Sequence, residues 1–503
     1  MTDAPSSPLN TPSLTQRVAR GAAWIMGAGI VARLLGALNT VVIARLLAPD
    51  DIGVVATAAV AMQLLQGISD FGVSQAVVRF RDATRDDLNT LFTLSVLRGA
   101  LIGAVLLAFA PFAADFYGDP RLFWAFAAIA LFPVVTGFIN PRFYEFERDL
   151  KFSREFIVVI VNRLAGVAVS LIVAIVYRTY WAIIFGMLAS AIVQLALSYA
   201  LRPHAPRFSI KSFNKVFGFS SWLTGVSFMA ALNNKLDVPI LSRLAGAGGA
   251  GVYYMGFHLS ELAAGQIASP MTRAIFPGLS EMQGDPARMR AAFLRGVEAL
   301  GIFAMPAAFG LAFVAADFTH VVLGEKWAAA APVIALLAPV IGLQSLFFAT
   351  QAYAVALGLT RLVFFRELMF FLVRTPVFIW AAISYGLDGA VVAAAATGLL
   401  HVGLNLAIYA RAGGGRWWDP IVRARRPLAA VAAMGAWFLI VRPYLGGADS
   451  LAPALRLAVD VLSGAVLYIG ALALLWAAEG RPDSVERQVL AALAVRAKRA
   501  IQE

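Results

Sequence analysis

The sequence predicts an all-α integral membrane protein with about fourteen transmembrane helices. Its 503 residues are 60% hydrophobic and 14% charged, and the mean hydropathy is +0.77. Soluble domains are nearer to about 45–50% apolar and about 25% charged. The apolar stretches reach about 20 residues, which is the length of a membrane-spanning helix and about twice that of a barrel strand. Composition and segment length therefore agree on a helical membrane protein.

The predicted spans are windows of about 20 apolar residues separated by charged or Gly/Pro-containing turns. The fourth and thirteenth windows are the weakest, because each is short or broken by proline. In the seventh window Pro239 removes a backbone donor, so we expect a kink there. The predicted spans are 22–46, 52–78, 88–114, 121–141, 156–177, 181–201, 216–242, 250–271, 293–316, 328–357, 362–384, 388–410, 428–446 and 456–478.

Basic residues predict the orientation of the chain. With the amino terminus in the cytoplasm, the cytoplasmic segments hold most of the 41 Lys and Arg, as the positive-inside rule requires. An even number of spans then places the carboxyl terminus inside as well. The predicted cytoplasmic segments are 1–21, 79–87, 142–155, 202–215, 272–292, 358–361, 411–427 and 479–503.

An internal repeat at an offset of 198 residues relates the first span to the seventh. Each half would hold six spans, an even number, so both halves keep the same orientation. Repeats of this kind are related by an axis along the membrane normal. Arg33 aligns with Ala231, so this charge belongs to one half only. The aligned pairs include Trp24 and Trp222, Arg45 and Arg243, and Gly53 and Gly251.

The residue inventory argues against several classes of function. The chain has no cysteine, which excludes disulfides and thiolate metal sites, and its four histidines form no metal-binding motif. The loops are too short to hold a catalytic domain, so we expect no enzyme, no cofactor and no metal. The net charge of +12 is spread over short loops, which argues against a nucleic acid partner. Residues 1–16 lack the apolar core of a cleavable signal peptide.

Six stretches carry a family pattern: ISDFGVSQAVVRF (68–80), FYGDPRL (116–122), INPRFYEFERDLKF (139–152), NNKLDVPILSRLAGAGGAGVY (233–253), IFPGLSEMQGDPARMRAAFLR (275–295) and VLGEKWAAAAPVI (322–334). In this order and on this topology they resemble the polysaccharide transporter family of the MOP flippase superfamily. This family comprises the Wzx-type exporters of lipid-linked oligosaccharides. The resemblance extends over roughly residues 14–420.

The resemblance implies the MOP fold, in which two six-helix lobes form a V around a central cavity and transport proceeds by alternating access. Two further helices would follow the second lobe as accessory spans. The expected organisation is a cytoplasmic amino-terminal segment (1–21), an N-lobe (22–201), a cytoplasmic linker (202–215), a C-lobe (216–410), a cytoplasmic loop (411–427), two accessory spans (428–478) and a cytoplasmic tail (479–503).

The resemblance also implies a flippase for undecaprenyl-pyrophosphate-linked oligosaccharide units. It would act in the bacterial inner membrane, in exopolysaccharide, capsule or O-antigen synthesis. The partners implied are that lipid-linked oligosaccharide, membrane lipids, H⁺ or Na⁺ as the coupling ion, and a polymerase or export machinery. A MATE-like exporter of small amphiphiles is the alternative and would favour an acid-rich cavity. A membrane glycosyltransferase or polymerase would need larger extramembrane parts than the loops provide.

Charges inside the apolar spans are the candidate functional residues, because a charge at the bilayer centre costs about 3 kcal/mol or more. Cations facing the cavity would bind the pyrophosphate, and arginine suits this role because its planar guanidinium binds phosphate oxygens bidentately. Pairing with an acid on another helix is the alternative for each. The candidate substrate-binding residues are Arg33, Arg163, Lys235, Arg366 and Arg374.

Acids within the spans divide into two groups. Asp237 and Glu261 are the candidates for binding the coupling ion, although Asp237 could equally form a salt bridge with an arginine. The residues expected to form structural pairs are Asp70, Arg98, Arg295, Glu298 and Glu367, with Arg295 and Glu298 paired at i and i+3.

Two basic segments are predicted to meet the membrane surface. In residues 479–503, apolar side chains at helical spacing lie among arginines, which favours an amphipathic helix on the inner leaflet, with a solvated tail as the alternative. The run Arg423–Arg426 is predicted to act as a positive-inside anchor, with contact to anionic lipid as a further role.

Overall fold

In the computed structural model of the chain, the described residues are mostly helical and contain no strand. Contacts divide the chain into two compact units. The first comprises Met1–Leu47 and Ala61–Phe219, and the second comprises Ala48–Val60 and Ser220–Glu503. The described residues are 14–69, 84–148, 152–203, 205–212, 221–282, 284–413, 415–444, 452–482 and 484–487.

Seven helices begin among the described residues of the first part of the chain, and the amino-terminal half of the second of them groups with the second unit. Two short helical turns, Pro141–Tyr144 and Glu145–Arg148, lead from the fifth helix towards the sixth. The helices are α1 (Leu14–Leu46), α2 (Pro49–Ile68), α3 (Arg85–Tyr117), α4 (Arg121–Ile129), α5 (Leu131–Gly137), α6 (Phe152–Tyr177) and α7 (Trp181–Leu201).

In the rest of the second unit, the described residues form ten further helices. Short helical turns at Ala315–Phe318, Thr319–Leu323 and Glu325–Trp327 connect two of them, and the turns Trp437–Val441 and Arg442–Tyr444 extend another. The helices are α8 (Ser221–Lys235), α9 (Asp237–Leu244), α10 (Gly246–Glu281), α11 (Pro286–Phe313), α12 (Ala330–Ser345), α13 (Thr350–Ala356), α14 (Thr360–Gly413), α15 (Asp419–Arg423), α16 (Arg425–Ala436) and α17 (Pro453–Ala478).

Within the described residues, eight helical segments are long and apolar enough to cross a membrane. One of them contains two predicted spans, because α14 is interrupted at Gly386, whose φ of 64° and ψ of −142° only glycine adopts readily. The count of fourteen spans stays a prediction. The eight segments are Arg85–Tyr117, Phe156–Tyr177, Trp181–Leu201, Pro286–Phe313, Ala330–Ala356, Thr360–Ala412, Arg425–Tyr444 and Pro453–Ala478.

The start of α3 and the predicted fourth span show how local sequence determines helix boundaries. Thr84 and Asp87 form a capping box: the Thr84 hydroxyl accepts from the Asp87 amide at 3.2 Å, and the Asp87 carboxylate accepts from the Thr84 amide at 3.0 Å.

The predicted fourth span is two short helices, α4 and α5, rather than one. Helix α5 lies so close to α3 that a Cβ atom at Gly99 would be 2.2 Å from the Pro133 carbonyl oxygen.

The predicted seventh span is also divided, into α8 and α9, with Leu236 between them. Pro239 explains the position of this break. A proline amide cannot donate to the carbonyl of the residue four positions earlier, and here that residue is Lys235, the last of α8. The break brings Asp237 to the first turn of α9, where its buried carboxylate faces other helices of the second unit.

Helices α2 and α10 cross at two glycines that the internal repeat relates. A Cβ atom at Gly53 would lie 1.8 Å from the Ala247 carbonyl oxygen, and one at Gly251 would lie 1.9 Å from the Pro49 carbonyl oxygen. Pro49 and Ala247 are themselves related by the offset of 198 residues, so the contact is reciprocal. Only glycine permits backbones to approach this closely.

The two carboxyl-terminal helices, α16 and α17, pack on α11 through a shared apolar cluster that includes Met305, Met434 and Leu472. The Tyr468 hydroxyl donates to the Ile302 carbonyl at 3.0 Å near the middle of this contact. Ion pairs flank it: Arg426 binds Glu298, Arg442 binds Asp460 and Asp317, and Arg456 binds Asp317.

Candidate functional site

In the first unit, two arginines lie near the middle of long apolar helices. Arg33 is on α1, Arg163 is on α6, and these helices pack against each other. Both arginine residues are exposed. The Arg163 guanidinium lies over Gly36, where a Cβ atom would be 2.2 Å from Nη2, so the glycine makes the space that this group occupies.

The same side of α1 carries the second guanidinium. The Arg33 side chain extends back towards Gly29, where a Cβ atom would be 4.0 Å from Nη2. Gly29, Arg33 and Gly36 follow the i, i+4, i+7 spacing of one helix face. Arg33 and Arg163 therefore present their positive groups along one face of α1; together they are called the arginine pair below.

Neither member of the arginine pair contacts a carboxylate among the residues that the structure describes. Charged groups at this depth in a membrane are normally paired or face a wet cavity, because an isolated charge in hydrocarbon is costly. Two guanidinium groups on one helix face suit a phosphate-containing anion, which each can bind through two parallel hydrogen bonds. The arginine pair is thus a candidate anion site.

The second unit contains a different arrangement of charge, a buried network that joins α8, α9, α10 and α14. Arg374 binds the Asp237 carboxylate at 2.5 Å and also donates to the Asn233 carbonyl oxygen. The Tyr253 hydroxyl donates to the same Asp237 oxygen at 2.5 Å. Asp237 is 5% exposed and Arg374 is 8% exposed, so this ion pair is shielded from water.

Arg366 and Glu367 extend this network. Arg366 binds the carboxylate of its neighbour Glu367 and donates to the Asn405 side-chain oxygen at 2.6 Å. The Asn233 amide donates to Glu367 at 2.9 Å, which links the two ion pairs. The buried network consists of Asn233, Asp237, Tyr253, Arg366, Glu367, Arg374 and Asn405.

With two arginines and two carboxylates, the buried network is electrically neutral when both acids are ionised. A neutral network with short internal hydrogen bonds attracts anions much less than the arginine pair does. Two of its polar atoms, Asn233 Oδ1 and Arg366 Nε, have no hydrogen-bond partner in the described part of the chain, and His401 Nε2 beside them has none either. The His401 ring stacks on Phe370 at 4.5 Å. These atoms leave hydrogen-bonding capacity at the edge of the network.

Two further candidates form no salt bridge among the residues that the structure describes. Lys235 is half-buried at the end of α8, and Glu261 is exposed on α10. Glu261 follows His258 by one turn on that helix, and the His258 ring stacks on Tyr254 at 5.8 Å. Glu261 is therefore an accessible carboxylate, in contrast to Asp237.

The residues expected to form structural pairs have varied surroundings. Arg98 donates to the Ser69 hydroxyl at 3.1 Å and to the Gln66 carbonyl at 2.8 Å, which joins α3 to α2. Glu298 is fully buried and binds Arg423 at 2.7 Å and Arg426 at 2.6 Å. The sequence suggested Arg295 as the partner of Glu298. In the structure Arg295 is exposed, and Glu298 binds the other two arginines instead. Asp70 lies outside the described residues.

Several members of the buried network were not singled out from the sequence. Tyr253 and Asn405 lie in apolar spans, where a lone polar residue is a weak signal. Asn233 had a stronger signal, because the run Asn233–Asn234–Lys235 is polar and occurs in the middle of a predicted span. Gly36 could be found only from the structure, since its role depends on the position of Arg163.

The family model described as "Polysaccharide biosynthesis protein" matches residues 42–332 of the chain. The lipopolysaccharide biosynthesis protein WzxC of Escherichia coli (strain K12) is 27% identical over 335 residues, which cover 66% of this chain and 68% of WzxC. The succinoglycan biosynthesis transport protein ExoT of Rhizobium meliloti (strain 1021) is 24% identical over 438 residues, which cover 85% of this chain and 87% of ExoT.

Among solved structures, the lipid II flippase MurJ, in an inward closed conformation, has a similar fold. The TM-score is 0.70 at 13% identity, and the match covers 92% of this chain and 100% of MurJ. This similarity confirms the predicted fold class, a helical membrane protein of the MOP fold.

Proposed function

The chain belongs to the polysaccharide biosynthesis protein family, and from this premise we propose that it is a flippase for lipid-linked oligosaccharides. Its relatives carry the names of polysaccharide biosynthesis and transport proteins. The chain is a multi-pass membrane protein, and its relative ExoT is named as a transport protein. The cargo that fits is an undecaprenyl-pyrophosphate-linked repeat unit in a bacterial inner membrane.

The observation that carries this proposal is the arginine pair. Arg33 and Arg163 are exposed, lie within predicted spans and contact no carboxylate among the described residues. A pyrophosphate headgroup supplies the negative charge that would offset the cost of keeping two guanidinium groups in this environment. Lys235 is the next candidate contact, because it is half-buried and stands beside the break between α8 and α9.

Arg366 and Arg374 would have a different part in this mechanism. Each is buried and held by an acid of the second unit. Binding of the headgroup by either arginine would require the buried network to open and would leave Asp237 or Glu367 without its partner. We therefore assign them to maintaining the C-lobe, and assign recognition of the pyrophosphate to Arg33 and Arg163.

Transport would proceed by alternating access with both termini in the cytoplasm. The headgroup would bind from the cytoplasmic side, and the prenyl tail would remain in the lipid. Glu261 is the better candidate for binding H⁺ or Na⁺, because its carboxylate is accessible while that of Asp237 is held by Arg374 and Tyr253. A polymerase or export machinery would take up the unit on the far side.

Deletion of the gene in its bacterial host tests this function. We expect undecaprenyl-pyrophosphate-linked oligosaccharide to accumulate with its headgroup on the cytoplasmic face, and the surface polymer to disappear. Radiolabelled lipid extracts measure the pool, and a lectin that cannot cross the membrane reports its sidedness in vesicles of known orientation. A normal pool whose headgroup reaches the outer face would rule out the proposed cargo.

A further inference from the structure

The segment that joins α14 to α16 has an outward face of tryptophan, aliphatic and arginine side chains. Trp417 and Trp418 are 53% and 41% exposed, and Ile421 and Val422 are 40% and 47% exposed. Arg416 stacks over the Trp418 ring at 5.6 Å and is exposed as well. These five residues, Arg416, Trp417, Trp418, Ile421 and Val422, are called the tryptophan surface below.

The other side of this segment forms hydrogen bonds and ion pairs with the rest of the second unit. Asp419, the one carboxylate in residues 415–425, accepts from Arg290 and from the Tyr409 hydroxyl. Arg423 and Arg426 turn inward to the buried Glu298. The sequence suggested the run Arg423–Arg426 as the membrane anchor, yet two of its arginines face the interior.

Turning these charged groups inward gives the outward face a net positive charge. The segment's only acid, Asp419, is occupied by Arg290, and Arg425, whose side chain is 57% exposed, pairs with Glu479, so the outward cation of the tryptophan surface is Arg416. Exposed apolar patches of this kind in membrane proteins mark contact with lipid or with another protein. Positive charge beside tryptophan rings matches the chemistry of anionic lipid headgroups.

The position of the tryptophan surface along the chain supports a lipid contact. The segment follows one membrane-spanning helix, which ends at Ala412, and precedes another, which begins at Arg425. A connection this short between two spans must remain at the surface of the bilayer. Tryptophan is enriched at this depth because its ring is apolar and its N–H can reach water or a headgroup.

We propose that the tryptophan surface binds anionic phospholipid headgroups at the bilayer surface. Trp417, Trp418, Ile421 and Val422 enter the boundary between headgroups and acyl chains, and Arg416 contacts the phosphates. Because Asp419 ties the same segment to Arg290 on α11 and Tyr409 on α14, bound lipid would hold the ends of these helices together. The proposed orientation places the tryptophan surface at the cytoplasmic leaflet. The contact with lipid does not depend on this orientation.

Lipid retention by the purified full-length protein tests the charged part of this proposal. Native mass spectrometry would count phosphatidylglycerol molecules bound to wild type and to the Arg416→Gln variant, with phosphatidylcholine as the uncharged comparison. Loss of this arginine should weaken the apparent affinity for phosphatidylglycerol about fivefold. Lys211→Gln is the matched control, because Lys211 is 77% exposed in the first unit and should change nothing.

Fluorescence of the tryptophans tests the apolar part and does not rely on the charge variants. The chain has ten tryptophans, so the Trp417→Phe, Trp418→Phe variant isolates the contribution of this pair while keeping aromatic bulk. In wild type, lipids brominated near the headgroup should quench a component that this variant lacks. If iodide in the water quenches that component and the brominated lipids do not, the pair is solvated and the proposal is wrong.

A contact between two copies of the chain would also cover the tryptophan surface. Light scattering of the purified variants separates the two outcomes. An unchanged oligomeric state together with lower phosphatidylglycerol retention supports the lipid contact. A changed oligomeric state with unchanged retention would overturn it.

Discussion

Arg33 and Arg374 illustrate two ways of keeping a guanidinium group inside a membrane protein. Arg374 is buried and has both a carboxylate and a backbone carbonyl as partners. Arg33 is exposed and has no carboxylate partner among the described residues. A paired arginine contributes to the fold, whereas an unpaired one at this depth needs an anion or water. The distinction separates residues that hold the protein together from those that contact cargo.

Loss of the arginine pair should reduce transport without unfolding the protein. Hydrogen bonds to charged groups are worth about 1.5–3 kcal/mol, so Arg33→Gln or Arg163→Gln should lower the export rate about tenfold to hundredfold. Arg33→Lys keeps the charge but not the bidentate geometry and should be intermediate. Polymer export, normalised to protein in the membrane, is the measurement.

The control for these variants is Arg295→Gln. Arg295 is also an exposed arginine within a predicted span, but it lies on α11, away from the arginine pair in the chain. It should export at the wild-type rate. Equal export by Arg33→Gln and Arg295→Gln would remove Arg33 from the candidate site.

Breaking the Asp237–Arg374 ion pair should mainly affect stability. Removing one partner leaves an uncompensated buried charge, which costs about 3–5 kcal/mol. Arg374→Gln should therefore lower the unfolding temperature strongly, and adding Asp237→Asn should restore part of the loss. Thermal unfolding in detergent measures both. An Asp237→Asn variant with unchanged stability and no dependence of transport on a cation gradient would instead identify Asp237 as the coupling acid.

At the scale of helices, hydropathy predicted the eight apolar segments found in the described residues, and proline and glycine predicted two interruptions, before Pro239 and at Gly386. Predicted spans 156–177 and 181–201 end where α6 and α7 end, because a helix must be apolar over the whole width of the bilayer. Pro239 predicted the break between α8 and α9. The sequence did not predict which helices touch, since Asp237 and Arg374 are 137 residues apart in the chain.

The run Arg423–Arg426 is a second case in which the sequence did not predict the partners of charged side chains. Basic residues at the start of a span predict a cytoplasmic end, and that rule concerns only distance from the membrane. The rule does not predict that Glu298, more than a hundred residues earlier, is buried beside this run and binds Arg423 and Arg426. Side-chain direction depends on partners that are close only in the folded chain.

The crossing of α2 and α10 should be intolerant of even one added carbon. Gly→Ala in a helix normally gains about 1 kcal/mol, but at Gly53 or Gly251 the new Cβ atom would meet a carbonyl oxygen closer than 2 Å. Overpacking of this kind costs about 1–3 kcal/mol or more, so both variants should be destabilised. Unfolding temperatures in detergent provide the measurement.

Gly403→Ala is the matched control, because a Cβ atom at this helical glycine has nothing within 4 Å. It should leave stability unchanged or raise it slightly. If Gly53→Ala is as stable as Gly403→Ala, the close approach of α2 and α10 is wrong.

At the scale of the whole chain, the family match and the two charged arrangements cover different parts. The match to residues 42–332 includes Arg163 and Asp237, but it stops before Arg366 and Arg374. The fold and the family therefore do not decide which cations recognise the cargo. That assignment depends on the observed difference between an exposed, unpaired arginine pair and a neutral, buried network.

Flipping of the cargo by the purified protein tests the central claim most directly. Proteoliposomes containing undecaprenyl-pyrophosphate-linked oligosaccharide would be exposed to a glycosidase that cannot cross the membrane, and the cleaved fraction followed in time. Wild type should bring the inner-leaflet headgroups within reach of the enzyme, while the Arg33→Gln, Arg163→Gln variant should do so at least about tenfold more slowly. Cleavage that stops at the outer-leaflet fraction with wild type, as in protein-free vesicles, would contradict the account.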